Sequence, residues 1–151
     1  MKPANQDHAF ITRFLETPHT PLRVLSNPMA IALGTHIVAA DPQQGRLELE
    51  FTPSETFVQG TGVLQGGAVA GMLDFAMAFS VLARLGDTGT CATVDLTTAF
   101  LRAAPAGRYR AIGEIVRSGK SIAFCRAELW KHDDARGPVA TAMATFVASS
   151  S

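Results

Sequence analysis

Hydrophobic and polar positions along this chain follow two different periods. Between His8 and Glu16 the apolar residues recur at helical spacing, with Phe10, Ile11, Phe14 and Leu15 on one side, which predicts a short helix. Pro18, Pro21 and Pro28 then predict an irregular lead-in to about residue 30. Ile31 to Ala40 reads as a strand. The turn Asp41-Pro42-Gln43-Gln44-Gly45 follows, and Arg46 to Phe51 alternates Leu47, Leu49 and Phe51 with Glu48 and Glu50, so the pair predicts a hairpin. Thr52 to Gly62 is a loop punctuated by Pro53, Gly60 and Gly62.

The pattern then changes. Gly66 to Leu85 is apolar almost all round, which predicts a helix buried on every side, and Gly86 stands where a C-cap is expected. Four further strands are predicted at Ala92 to Leu101, Tyr109 to Arg117, Ser121 to Trp130 and Val139 to Ala148, with short turns that favour antiparallel neighbours. One antiparallel β-sheet wrapped around one long helix, an α+β architecture, accounts for this order. No repeat or linker divides it, so the expectation is a single domain over 1–151, with the core at 31–148.

Composition narrows the function classes. Of the 151 residues, 47% are hydrophobic, enough to support a packed core. Lys plus Arg and Asp plus Glu each number 13, so there is no basic footprint for nucleic acid or for an anionic membrane. Charged residues are only 17% against about 25% in typical domains, which suggests that part of the surface is covered in an oligomer. The polar start Met1 to Asp7 leads into no apolar signal core, and the two cysteines, Cys91 and Cys125, are too few for a stapled scaffold. Both points fit a cytoplasmic protein. The apolar run from Ala68 is interrupted by Asp74 and Arg84, against a membrane span.

Asp74 is the residue that requires a reason. It lies mid-helix between Leu73 and Phe75, where an ionised carboxylate is costly unless paired or hydrogen-bonded. Pairing with an arginine or capping a loop would be the structural explanation. The same helix, however, opens on Gly66-Gly67, so its free N–H groups and positive dipole end face whatever approaches. Such amides can hold the oxyanion of a tetrahedral intermediate, and a carboxylate can activate water. Gly66 and Asp74 stand eight positions apart, about 12 Å of helix rise, too far for one carbonyl to meet both. Two such helices antiparallel across a two-fold axis would bring Gly66 of one subunit to Asp74 of the other.

The run Gln59-Gly60-Thr61-Gly62-Val63-Leu64-Gln65-Gly66-Gly67-Ala68-Val69-Ala70-Gly71-Met72-Leu73-Asp74 resembles the signature of the hotdog-fold acyl-CoA thioesterases, in the branch that holds the PaaI-like and 4-hydroxybenzoyl-CoA enzymes. Thr93 to Gly107 and Arg117 to Ser121 resemble the family's next strand and hairpin, so the likeness spans roughly Leu33 to Val147. The resemblance implies a hotdog fold and hydrolysis of an acyl- or aryl-CoA thioester. It assigns Asp74 as general base or as nucleophile, Gly66 N–H as the group polarising the carbonyl, and Gln59 as the residue orienting water. Gln65, Gly67, Arg102, Gly119, Lys120 and Ser121 take positions that contact substrate or coenzyme A. It implies no metal and no cofactor beyond the coenzyme A of the substrate, and a homodimer or homotetramer with sites at the subunit interface.

The usual family His before Gly-Gly is Gln65 here, and none of His8, His19, His36 and His132 lies in the motif. This departure gives a second reading some support, an acyl-CoA binding or sensing protein without catalysis, and it disfavours a His-dependent hydratase. Ala78, four residues after Asp74, stands where some relatives carry Thr. Cys125, Trp130 and Phe124 are expected in the core, and Phe57, Met72, Phe75 and Phe79 either in the core or along an acyl pocket. Thr93 could hydrogen-bond near the carboxylate in such a fold, but nothing in the sequence requires it.

Overall fold

The computed structural model describes residues 4–150; Met1 to Pro3, which begin the polar lead, and Ser151 lie outside them. The elements run α1 (Gln6–Glu16), β1 (Leu22–Arg23), α2 (Pro28–Ala32), β2 (His36–Asp41), β3 (Arg46–Phe51), a 3₁₀ turn at Glu55–Phe57, α3 (Gly66–Leu82), β4 (Thr90–Phe100), β5 (Tyr109–Ser118), β6 (Ile122–Lys131) and β7 (Ala140–Ser149). The strands form one antiparallel sheet in the order β1-β2-β3-β5-β6-β7-β4, and α3 lies against its inner face. This is the hotdog arrangement.

Strict alternation produces the two faces of the sheet. Leu47, Leu49 and Phe51 of β3, Tyr109 and Ala111 of β5, Cys125 and Leu129 of β6 and Phe146 of β7 point inward and are buried. On the outer face Arg46 bridges Glu48 and Glu114, Arg126 also pairs with Glu114, and Arg110 pairs with Glu48. These five charges form a cross-strand lattice over β3, β5 and β6.

Close approach of helix and sheet depends on Gly113. A Cβ at that position would overlap the carbonyl oxygen of Ala76 in α3. Ala111, Ala127, Ala142 and Ala144 keep the surrounding sheet surface equally shallow.

Several expectations are corrected. The proline-rich lead-in is not irregular throughout: it holds the two-residue strand β1 and the helix α2. Ile31 and Ala32 therefore belong to α2, not to a strand, because Asn27 caps it through the Ala30 N–H at 2.8 Å and Pro28 takes its first turn. The long helix ends at Leu82 with Ala83 as its C-cap, and Gly86 has no left-handed backbone to serve that role. Nor is α3 buried all round. Gly66 and Gly67 are exposed, and Ala70, Gly71, Asp74, Phe75 and Ala78 are only partly covered, because the sheet wraps one side of the helix and the other is covered in part, as where Met29 of α2 meets Gly71. Phe124 points outward at 48% exposure, opposite Cys125, since neighbours in a strand face opposite sides.

The helix α1 closes one end of the core. Ile11 and Phe14 are buried beneath it, while Asn5 Nδ2 donates to Gly89 O at 3.1 Å and the His8 ring bonds Leu85 O at 2.8 Å.

Candidate active site

The loop before α3 is held by backbone bonds that bring Gln59 back beside the helix start. Gln59 N–H donates to Val63 O at 2.8 Å, Gly62 N–H to Gln59 O at 2.9 Å, Leu64 N–H to Ala104 O at 2.7 Å and Gln65 N–H to Phe57 O at 2.8 Å. Gln65 is the N-cap residue in an extended conformation, and its side chain makes no capping bond. The first helical bonds come from Ala68 and Val69 to Gln65 O, so the amides of Gly66 and Gly67 find no acceptor among the described residues. Gly66, though not Gly67, lines a cavity of about 470 Å³ together with Gln59, Leu64, Val69, Phe100, Arg102 and Val139.

Nothing in the sequence pointed to Phe100. Its ring comes within 3.3 Å of where a Gly66 Cβ would stand, and it is 57% exposed at the end of β4. A bare glycine at position 66 is what leaves space between this ring and the amide.

Asp74 lies farther along α3, on the partly covered side of the helix, and is not part of that cavity. Thr93 Oγ1 on β4 donates to its Oδ1 at 2.8 Å. Thr93 pairs with Phe146 and Asp95 with Thr145, so the register shifts at Val94, next to the residue that reaches the carboxylate. No cation pairs with Asp74 among the described residues. Burial raises its carboxyl above the ordinary Asp value, and the Thr93 bond partly opposes that shift. The pairing with arginine that would make Asp74 merely structural is therefore not made.

The other expected site residues divide. Gln59, Gly66 and Arg102 share one cavity. The Arg102 guanidinium is already engaged by Asp134 at 3.2 Å and by Gly137 O. Gly119, Lys120 and Ser121 are exposed at the β5–β6 hairpin, away from the cavity. Met72 and Phe79 are in the core, and Phe57 and Phe75 are half-buried. Cys91 lies near Asp74 and donates to Ala78 O at 3.6 Å. Burial, with the Asp74 charge beside it, pushes its thiol up to about 12, so it is no thiolate nucleophile at neutral pH. Among the described residues no group of three or more His, Cys, Asp or Glu could hold a metal, and no helix is long and apolar enough to cross a membrane.

Three comparisons bear on this arrangement. The model of the thioesterase superfamily matches residues 61–138, a span that includes Gly66, Asp74 and Thr93. A phenylacetic acid degradation-related protein of Ralstonia eutropha JMP134 superposes with a TM-score of 0.76 at 32% identity, over 91% of this chain and 98% of that one. A thioesterase family protein from Silicibacter pomeroyi gives 0.77 at 24% identity, over 95% and 99%. The PaaI protein from the phenylacetic acid degradation operon of E. coli gives 0.73 at 18%, over 93% and 94%. The last two are similar in fold alone. No curated protein matches the sequence.

Proposed function

Since the chain belongs to the thioesterase superfamily, we propose that it hydrolyses an acyl-CoA thioester with Asp74 as general base and the Gly66 amide as oxyanion donor. The observation that carries this reading is a single helix with two unsatisfied glycine amides at its start and one unpaired carboxylate on its partly covered side. Asp74 takes a proton from water as the oxygen attacks the thioester carbon. The negative charge that develops on the carbonyl oxygen meets Gly66 N–H at the positive end of α3. Collapse expels the coenzyme A thiolate, which takes up a proton, and leaves the carboxylic acid. A carboxyl whose pKa is raised by burial is a stronger base, once ionised, than an ordinary Asp. Gln59, half-buried beside Gly66, is suited to orient the water. Thr93 fixes the carboxylate rotamer, and Ala78 offers no hydroxyl in support of a covalent anhydride route.

The 12 Å of helix between Gly66 and Asp74 requires that the two groups of one site come from two subunits. Strand β4 supports this. Among the described residues it pairs with β7 alone, is eleven residues long, and exposes Val94 at 60% and Phe100 at 57%. An open edge of that length is a template for a second copy.

A non-catalytic acyl-CoA binder is the second reading, favoured by one observation: Gln65 stands in the motif with its side chain exposed and unbonded at the N-cap. Thiol release from a panel of acyl-CoA esters tests both. Turnover that falls by about 10²–10⁴-fold in Asp74→Asn is the expected result. Binding without thiol release by the wild-type protein would establish the second reading, and full turnover by Asp74→Asn would remove the mechanism.

A further inference from the structure

The cavity beside Gly66 does not end at Arg102. A second cavity of about 540 Å³ adjoins it, and the two share Arg102, Ala103 and Val139. The first is lined by Gly66 and chiefly by apolar side chains, among them Leu64, Val69 and Phe100. The second has a different character. Lys131, His132, Asp133, Asp134 and Arg136 of the β6–β7 turn line it together with Arg102. A substrate held at the Gly66 amide therefore meets one continuous path, apolar near the amide and cationic at its far end.

Backbone and side-chain bonds hold this turn in place. Leu101 N–H and Arg102 N–H both donate to Val139 O, at 2.9 and 3.2 Å, which ties the end of β4 to the end of the turn. Asp134 accepts from Arg136 N–H at 3.0 Å, from Arg136 Nε at 2.9 Å and from Arg102 Nη1 at 3.2 Å. Arg102 also donates to Gly137 O. One carboxylate thus orients two guanidiniums and has its own oxygens occupied. The other, Asp133, stands 3.4 Å from the His132 ring. Against these two carboxylates the cavity sets three permanent cations, Arg102, Lys131 and Arg136. Lys131 makes no ion pair among the described residues, although on the outer face Arg46, Arg110 and Arg126 all have glutamate partners. Its Nζ lies 3.6 Å from where a Gly107 Cβ would stand, so the ammonium sits at the side of the cavity where Pro105 also lines it. A surplus cation at this place, in a chain of zero net charge, suits an anionic ligand.

In a coenzyme A thioester the anion nearest the sulfur is the diphosphate, which the uncharged pantetheine arm separates from it. We propose that the pantetheine arm runs from Gly66 past Arg102, and that Lys131 and Arg136 hold the diphosphate in the second cavity. The inference rests on the reading above, that a coenzyme A thioester places its carbonyl at Gly66. A compact ammonium and a planar guanidinium complement the several oxygens of a diphosphate. Lys120, on the β5–β6 hairpin, lines neither cavity.

The test compares one acyl group on three carriers: coenzyme A, 3′-dephospho-coenzyme A, which keeps the diphosphate, and pantetheine, which has no phosphate. Thiol release is followed with wild type, Lys131→Gln, Arg136→Gln and Lys131→Glu. In each Gln variant the ratio of kcat/KM for the coenzyme A ester to that for the pantetheine ester is expected to fall about tenfold, and further in Lys131→Glu, with the dephospho ester falling in parallel. Lys131 is half-buried and Arg136 exposed, and normalising to the pantetheine ester removes any general loss of folded protein. An unchanged ratio would overturn the proposal, and so would a fall confined to the ester that carries the 3′-phosphate. If wild type releases thiol from no ester, the hydrolysis reading fails by itself, and calorimetric Kd for coenzyme A against pantetheine decides the subsite. Tighter binding of coenzyme A that weakens in Lys131→Gln supports it, whereas equal affinities or no binding of coenzyme A overturns it.

Discussion

Thr93 on the edge strand β4 reaches across to the central helix and donates its hydroxyl to Asp74 Oδ1 at 2.8 Å, from beside a β-bulge that breaks the register with β7. This bond favours the ionised carboxylate, while burial opposes it more strongly. A general base acts only when deprotonated, so kcat/KM falls as pH drops through the Asp74 pKa. In Thr93→Val the hydrogen bond to the charged form is lost and the pKa rises further. The acidic limb of the pH–kcat/KM profile then moves to higher pH, and activity at neutral pH falls about three- to tenfold. Thr93→Ser, which keeps a hydroxyl, restores the limb. A purely structural Thr93 would lower Tm without moving the limb.

The oxyanion donor can be removed without removing the helix. Gly66 is the first residue of α3, where proline is accommodated, and Gln65 before it is already extended at φ −59° and ψ 140°. Gly66→Pro deletes the N–H and is expected to lower kcat by about 10²–10³-fold. Gly66→Ala controls for bulk: it keeps the N–H and asks only that the Phe100 ring give way by a few tenths of an ångström from 3.3 Å. Circular dichroism and kcat for both variants check the separation, and equal losses in both would assign the effect to crowding.

Shared sites have a consequence that subunit mixing can measure. Co-expressed Asp74→Asn and Gly66→Pro chains form mixed dimers in which one site carries both lesions and the other neither. With random pairing about one quarter of wild-type activity returns. Zero recovery in verified mixed dimers would place both groups of each site on one chain.

Asp74 should also cost stability where it is ionised. Its carboxyl is held above its unfolded value, so the folded state binds the proton more tightly. The stabilising contribution is then fully present below the unfolded pKa and is lost as pH rises through the folded one. Asp74→Asn is expected to raise Tm at neutral pH by about 1–3 °C, since partial exposure screens the charge. The gain shrinks as the pH is lowered into the range where Asp74 is protonated. Differential scanning calorimetry over that range checks the sign, and a gain that grows toward acid would contradict it.

Gly113 separates packing from chemistry. Because a Cβ there overlaps Ala76 O and lies 2.9 Å from Met77 N, Gly113→Ala has no flexible side chain to displace. A loss of about 3 kcal/mol, or roughly 6–12 °C in Tm, is expected. Ala111→Gly in the same strand should cost far less.

Periodicity alone determined most of the fold. Alternation at Leu47, Leu49 and Phe51 and the apolar run from Gly66 follow from rules local in sequence: a strand repeats every two residues, and a helix places Gly66 at its start whatever surrounds it. The same local logic made Asp74 conspicuous, since a carboxylate among Leu73, Phe75 and Met77 needs a reason. What surrounds Asp74 was a tertiary matter. The bulge beside Thr93 depends on the register of β4 with β7, and those strands are separated by two others along the chain. The open side of α3 likewise depends on which of its residues the sheet leaves uncovered, and an apolar pattern of small side chains does not reveal that. Phe100 over Gly66 and Met29 on Gly71 are contacts between segments more than 30 residues apart. They exist because glycine leaves space, and only the folded backbone determines which side chain enters it.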